Sequence, residues 1–209
     1  MNVSAARKVM VDSQVRVNDV TDRALQAALL TTDRHLLCAP DRAFSAYAEV
    51  EVPIVPGRSL MMARDVAKLI QAAQPRAGER ALAIAAPYAA AVLARLGLQV
   101  TAQEGDSAVF EVIGAGLGDD RIETVTAPLN TPTGQDWDLI ISEGAVPGRP
   151  EAWLQALRTG GRLLVVERAG AAGKAVLYVK GREGVSRREL FDSNPPLLAE
   201  MMSEPHFAL

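Results

Sequence analysis

The sequence predicts an α/β protein: a mostly parallel, twisted sheet with helices on both faces, a helical N-terminal extension and a C-terminal antiparallel hairpin. Three observations predict it. From Arg80 onward, short apolar runs alternate with helix-length stretches, the rhythm of βαβ units. The last two apolar runs are separated by Gly181 and Gly184 with no helix between them, which reads as a hairpin at a sheet edge. A composition of 49% hydrophobic and 22% charged residues supplies a sizeable core and excludes global disorder.

The elements follow in order. Val9, Met10, Gln14 and Val15 have near-helical spacing, and Asn18-Asp19-Val20-Thr21-Asp22 is a capping cluster that starts a helix over 23–30. Between Pro53 and Gly57 the chain turns twice. Residues 63–73 place Val66, Ala67, Leu69 and Ile70 on one face of a helix, and a turn follows at 75–79. Strands are predicted at 81–84, 99–103, 122–126, 139–141 and 162–166, with helices at 88–96, 107–115 and 150–157. Residues 174–179 and 186–191 form the hairpin. The chain thus divides into a helical segment, 1–75, packed on a sheet-bearing domain, 76–209, as one structural unit.

Charge and composition narrow the function classes. A net charge of −3 argues against nucleic acid as a partner. Cys38 is alone, so a disulfide framework and a multi-cysteine metal site are excluded. His35 and His206 leave little for a histidine-rich metal centre, and no metal is expected. No signal peptide is evident, and the longest apolar stretch, 81–93, is too short and too broken by Pro87 to span a bilayer. A soluble cytoplasmic protein without a membrane partner is expected.

In a doubly wound sheet the ligand sits beyond the carboxyl ends of the strands, near the switch point. That directs attention to Ile84 and the turn Ala85-Ala86-Pro87-Tyr88. Glu104 ends the next strand about 20 residues after Ile84, where a ribose-binding carboxylate would stand; a solvated loop carboxylate reads equally well. Asp138 and Glu143 flank a strand end and could meet a ligand amine, while Glu143 could instead act as a cap. His35 and Cys38 share a face if their segment is helical, although a buried thiol beside a surface histidine is the commoner arrangement. Neither a Gly-x-Ser-x-Gly elbow nor a phosphate-binding Gly-x-x-x-x-Gly-Lys loop is present, and His206 receives no role.

Taken in order, these segments resemble the protein-L-isoaspartate O-methyltransferase family. The resemblance rests on Met10-Val11-Asp12-Ser13-Gln14-Val15-Arg16, Arg80-Ala81-Leu82-Ala83-Ile84, Trp137-Asp138-Leu139-Ile140-Ile141, Glu143-Gly144-Ala145-Val146-Pro147, Gly160-Gly161-Arg162-Leu163 and Leu190-Phe191-Asp192. It implies a Rossmann-like methyltransferase fold and S-adenosylmethionine as cofactor. It also implies methyl transfer to the carboxylate of isoaspartyl residues in a peptide or protein substrate. Ile84, Ala85, Ala86, Tyr88, Glu104 and Glu143 then fall at cofactor-contacting positions, and Ser59 stands for a substrate-positioning hydroxyl.

Two departures stand against that pattern. The family's first strand ends in Glu-Ile-Gly-x-Gly-x-Gly-Tyr; here Ala83-Ile84-Ala85-Ala86-Pro87-Tyr88 is two residues shorter and holds no glycine. Glycine permits positive φ and close backbone approach, and Pro87 lacks an N–H donor, although proline also suits a helix start. Where the family carries Gly-x-Thr-x-Ser, this chain has Gly57-Arg58-Ser59-Leu60-Met61, and a thioether cannot donate a hydrogen bond. Arg58 could bind a carboxylate. The expectation is a family member with weak or lost activity; the alternative is a non-catalytic binding or interaction protein.

Overall fold

In the computed structural model, residues 2–202 are described. His206 lies outside them. Helix α1 (Val3–Met10) runs into one π turn and one 3-10 turn ending at Asn18. Asp22 then caps α2 (Arg23–Thr31) by accepting the Leu25 amide at 3.0 Å, so the capping cluster is a true helix start. Two short strands, β1 (Val52–Val55) and β2 (Arg58–Leu60), form an antiparallel hairpin where the span from Pro53 to Gly57 had been expected only to turn twice. Proline is tolerated on such an edge because no ladder needs its N–H. Helix α3 (Ala63–Ala73) follows, and the Gln71 side chain accepts the Thr21 and Asp22 amides, tying the N-terminal segment to it.

The seven-stranded sheet begins with β3 (Arg80–Ile84), α4 (Pro87–Arg95), β4 (Gln99–Glu104), α5 (Ser107–Ile113) and β5 (Ile122–Thr126). Then come β6 (Trp137–Val146), α6 (Glu151–Ala156), β7 (Leu157–Glu167) and the hairpin β8 (Lys174–Lys180) and β9 (Val185–Asp192). The order is β5-β4-β3-β6-β7-β8-β9, parallel from β5 to β7 and antiparallel beyond. This is a Rossmann-like α/β fold whose strand order reverses between β3 and β6. The crevice belonging to that switch point opens at the carboxyl ends of β3, β4 and β6.

Alternation along the strands feeds two cores. Ala81, Ala83, Val100, Ala102, Leu139 and Ile141 face the layer built by α1 to α5. Alanines on β3 meet Ala89, Ala90 and Ala94 of α4, so helix and sheet approach closely. Leu82, Ile84, Ile140, Leu163 and Val165 face the opposite layer, which holds α6 with Trp153, the 127–136 loop and Leu198. Residues of the N-terminal segment and of the sheet share the first core.

Strand β6 is much longer than the predicted 139–141. Ser142, Glu143 and Gly144 read as loop because they are polar or small, yet all are buried and continue the strand. The length also separates Asp138 from Glu143. Asp138 sits at the amino end of β6, accepting the Arg80 amide at 2.8 Å and pairing with Arg158. At roughly 3.3 Å per residue the two acids lie about 16 Å apart and cannot share a ligand amine.

Gln103 fixes the loop over the second face. Fully buried, its side chain donates to the carbonyls of Pro128 (2.8 Å) and Thr131 (2.9 Å) and accepts the Thr133 amide (2.8 Å). Replacing it leaves buried backbone groups without partners, each costing about 1–3 kcal/mol. Gln103→Ala is expected to lower unfolding free energy by about 3 kcal/mol, read by urea denaturation; a loss below about 1 kcal/mol would show that the loop does not depend on it.

Candidate functional site

Glu104 ends β4 at the switch-point crevice, 2% exposed. Its Oε2 accepts the Arg58 Nε at 3.1 Å, while Oε1 is buried with no partner. Arg58 is itself buried on β2, and its Nη2 reaches Glu200 Oε1 at 3.0 Å. Glu104 is therefore neither a solvated loop carboxylate nor open to solvent. Burial drives its pKa up to about 7 against the opposing pull of Arg58.

Glu143 holds the other side of the crevice. It accepts the Ala89 amide at 2.8 Å with Oε1 and the Met61 amide at 3.2 Å with Oε2. Ala89 lies in the first turn of α4, whose N-cap, Ala86, has no side-chain acceptor. Glu143 thus supplies the missing cap from a strand 54 residues away, and its charge faces the positive end of the helix. The Ala89 amide is thereby satisfied from within the chain. Burial raises the Glu143 pKa, opposed by Arg34 and the helix amides.

Arg34 and Tyr88 lie behind Glu143 in the core. Arg34 is fully buried, donates to the carbonyls of Ala46 (2.8 Å) and Met61 (2.6 Å), and stacks 4.4 Å from the Tyr88 ring centroid. Tyr88 is fully buried in the first core, where desolvation raises its pKa, and its hydroxyl has no partner. Ile84 and Ala85 pack into the second core and Ala86 into the first. Ala85 adopts φ +49°, so the turn after β3 keeps a left-handed residue without glycine. Pro87 stands in the first turn of α4, a favoured place.

Ser59 lies on β2 beside Arg58 and lines, with Met61, Glu143 and Gly144, a cavity of about 10 Å³. The structure thus brings Ser59, Glu104 and Glu143 around one crevice and sends Tyr88 away into the core. His35 bonds Tyr47 Oη at 2.9 Å, and Cys38 Sγ donates to the His35 carbonyl at 3.6 Å, so the two side chains do not form a pair.

Sequence reading missed the C-terminal strap. Residues 195–198 cross the carboxyl end of β6: the Ala145 amide donates to Pro196 O and the Leu198 amide to Ala145 O, both at 2.8 Å. Gly144 has φ +121°, where an L side chain is strained, and a Cβ there would press on Leu198 Cδ2 at 2.6 Å, so glycine suits this place beneath the strap. Pro195-Pro196 was the available signal, marking an extended segment too polar-poor to be a free tail.

A cavity of about 10 Å³ has room for at most one water, whereas pockets for ligands of cofactor size run to about 300 Å³ or more. As folded, the cavity beside Ser59 and Glu143 does not fit a nucleoside cofactor, and the buried Arg58 side chain stands against Glu104 next to it. Among the described residues no cluster of three or more His, Cys, Asp or Glu could hold a metal, and no helix is long and apolar enough to cross a membrane.

Comparison with known proteins supplies the lineage. No protein-family profile matches the chain. A protein-L-isoaspartate O-methyltransferase from Methylorubrum populi is 32% identical over 197 residues, covering 91% of this chain and 92% of the relative. One from Methanoregula boonei is 30% identical, covering 89% and 88%. Among solved structures, a Plasmodium falciparum chain assigned as a protein-L-isoaspartate O-methyltransferase, in complex with S-adenosyl-L-homocysteine, superposes with a TM-score of 0.78. It is 15% identical, covering 96% of this chain and 99% of that one.

The raised Glu104 pKa has a measurable consequence. The folded state holds this proton more tightly than the unfolded chain, so stability is lost as pH rises from about 4.5 through about 7. Between pH 5 and 8 the loss assignable to Glu104 is on the order of 3 kcal/mol. Glu104→Gln is expected to flatten most of that slope in urea denaturation; an unchanged slope would place the proton elsewhere.

Proposed function

The chain belongs to the protein-L-isoaspartate O-methyltransferase family, and from that premise we propose that it is a non-methylating member that works by binding a peptide or protein partner. The observation that carries the reading is Arg58 on Glu104: a guanidinium of the chain itself occupies the crevice where an S-adenosylmethionine ribose would be expected. Three further features support it. Glu143 is spent on α4 and Met61, the β3 turn offers Pro87 in place of an N–H donor, and Met61 replaces a substrate hydroxyl. Ser59 remains beside the crevice as a polar contact for a peptide carboxylate.

A second reading keeps methyl transfer to isoaspartyl carboxylates with S-adenosylmethionine. One observation favours it: Glu104 Oε1 is a buried acceptor that no protein donor satisfies, as a ligand hydroxyl would.

Calorimetric titration separates the two. The wild-type protein is expected to give no binding heat with S-adenosylmethionine or S-adenosylhomocysteine up to ~1 mM, a ligand range corresponding to about 4 kcal/mol of binding. It is also expected to transfer no methyl to an isoaspartyl peptide. Micromolar binding would overturn the proposal in favour of the second reading.

A further inference from the structure

We propose that the crevice is shut by a removable internal latch, in which Arg58 and the strap carrying Leu198 and Glu200, rather than the missing glycines, exclude a nucleoside ligand. The inference rests on the closed-cleft reading above and names what does the closing.

The parts are placed as a latch would be. Arg58 rides on the β1–β2 hairpin, which pairs with no strand of the main sheet. Its guanidinium bridges a fully enclosed acid, Glu104, and a partly exposed one, Glu200, whose side chain is 41% exposed. The inner contact is shielded; the outer one is open to water and ions, so it is the weaker hold. The strap joins the sheet through one isolated bridge, Ala145 to Leu197, with Leu198 seated over Gly144. Leu198 also packs in the second core and Arg168 donates to the Pro195 carbonyl at 2.8 Å, so the strap is fastened by side chains that substitution can weaken one at a time.

The wall behind the latch is already shaped. Ala85 holds the left-handed turn at φ +49° by donating its amide to Gln103 O at 2.9 Å, a contact that does not involve Arg58. Glu104 keeps an unpartnered oxygen that Arg58 does not use. Removing the guanidinium frees a second acceptor on the same carboxylate and vacates side-chain volume beside it. Glu143 does not move in this scheme, because its partners, Ala89 and Met61, lie in the wall.

The test uses the full chain, with adenosine and S-adenosylhomocysteine as probes in calorimetry. Arg58→Ala is expected to bind S-adenosylhomocysteine at least tenfold more tightly than the limit set by the wild type. Leu198→Ala/Glu200→Gln, which weakens the strap and removes the charged outer partner that helps hold the Arg58 guanidinium in place, is expected to raise amide exchange over 196–202 at least tenfold and, by letting Arg58 swing off Glu104, to give measurable binding. A folded Arg58→Ala that stays silent would overturn the latch and assign the barrier to the Ala85–Pro87 turn, leaving the proposed function standing. If Arg58→Ala does not fold, silence in Leu198→Ala/Glu200→Gln overturns the latch in its place. Wild-type binding at micromolar level would instead sink the closed-cleft reading; with no gain in either variant, the latch falls with it.

Discussion

The ion pair between Arg58 and Glu104 is the constraint around which the carboxyl end of the sheet is arranged. Strand order reverses beside β3, and no crossover connection covers the crevice at such a point. A carboxylate ending β4 there must be solvated, bound to a ligand or matched from within. This chain matches it from within, with an arginine 46 residues earlier. Buried pairs of this kind add little net stability, because desolvation offsets the attraction, but removing one partner costs about 3–5 kcal/mol. The pair therefore defines the state of the crevice more than it strengthens the fold. Arg58 does not fully offset the burial of Glu104, whose pKa stays raised.

A second pair of charges acts through one backbone residue. Glu143 accepts the Met61 amide while Arg34 donates to the Met61 carbonyl, so anion and cation grip opposite sides of the same residue. Met61 leads directly from β2 into α3, and the grip sets where β2 ends and hence where Arg58 points. Glu143 also caps α4. The same carboxylate thereby positions the latch-bearing hairpin and occupies the helix terminus that could have received an anionic group.

Much of this was legible in the sequence, and the limits follow from range. The parallel strands announced themselves through period and turn residues, and the hairpin over 174–192 through Gly181 and Gly184. Glu104 was placed by spacing alone, since strand–helix–strand units have nearly fixed length. Partners 46 and 54 residues away leave no local pattern, so neither Arg58 on Glu104 nor Glu143 on α4 could be read. Ser142, Glu143 and Gly144 disguised half of β6 because a hydroxyl, a carboxylate and a glycine look like loop residues, whereas here Glu143 is satisfied by distant backbone amides and Gly144 is covered by the strap. Arg34 carried no signal at all: a lone arginine in a polar stretch looks like a surface residue until its stacking on Tyr88 is seen.

The turn after β3 shows how such a site can change while its scaffold stays. A left-handed alanine costs roughly 1–2 kcal/mol relative to a right-handed one and persists only where the surroundings impose it. Here they do: the Ala85 amide is fixed to Gln103 O, its methyl group is buried in the second core, and Pro87 sets the first turn of α4 two residues later. Gln103 is in turn anchored through the loop at 127–133. The path of the turn is thus determined by strand register and packing, with no ligand contact needed to maintain it. Fold and site come apart at this point. Sheet and loop keep the backbone in place, while Arg58 and the strap over Gly144 decide whether anything can approach it.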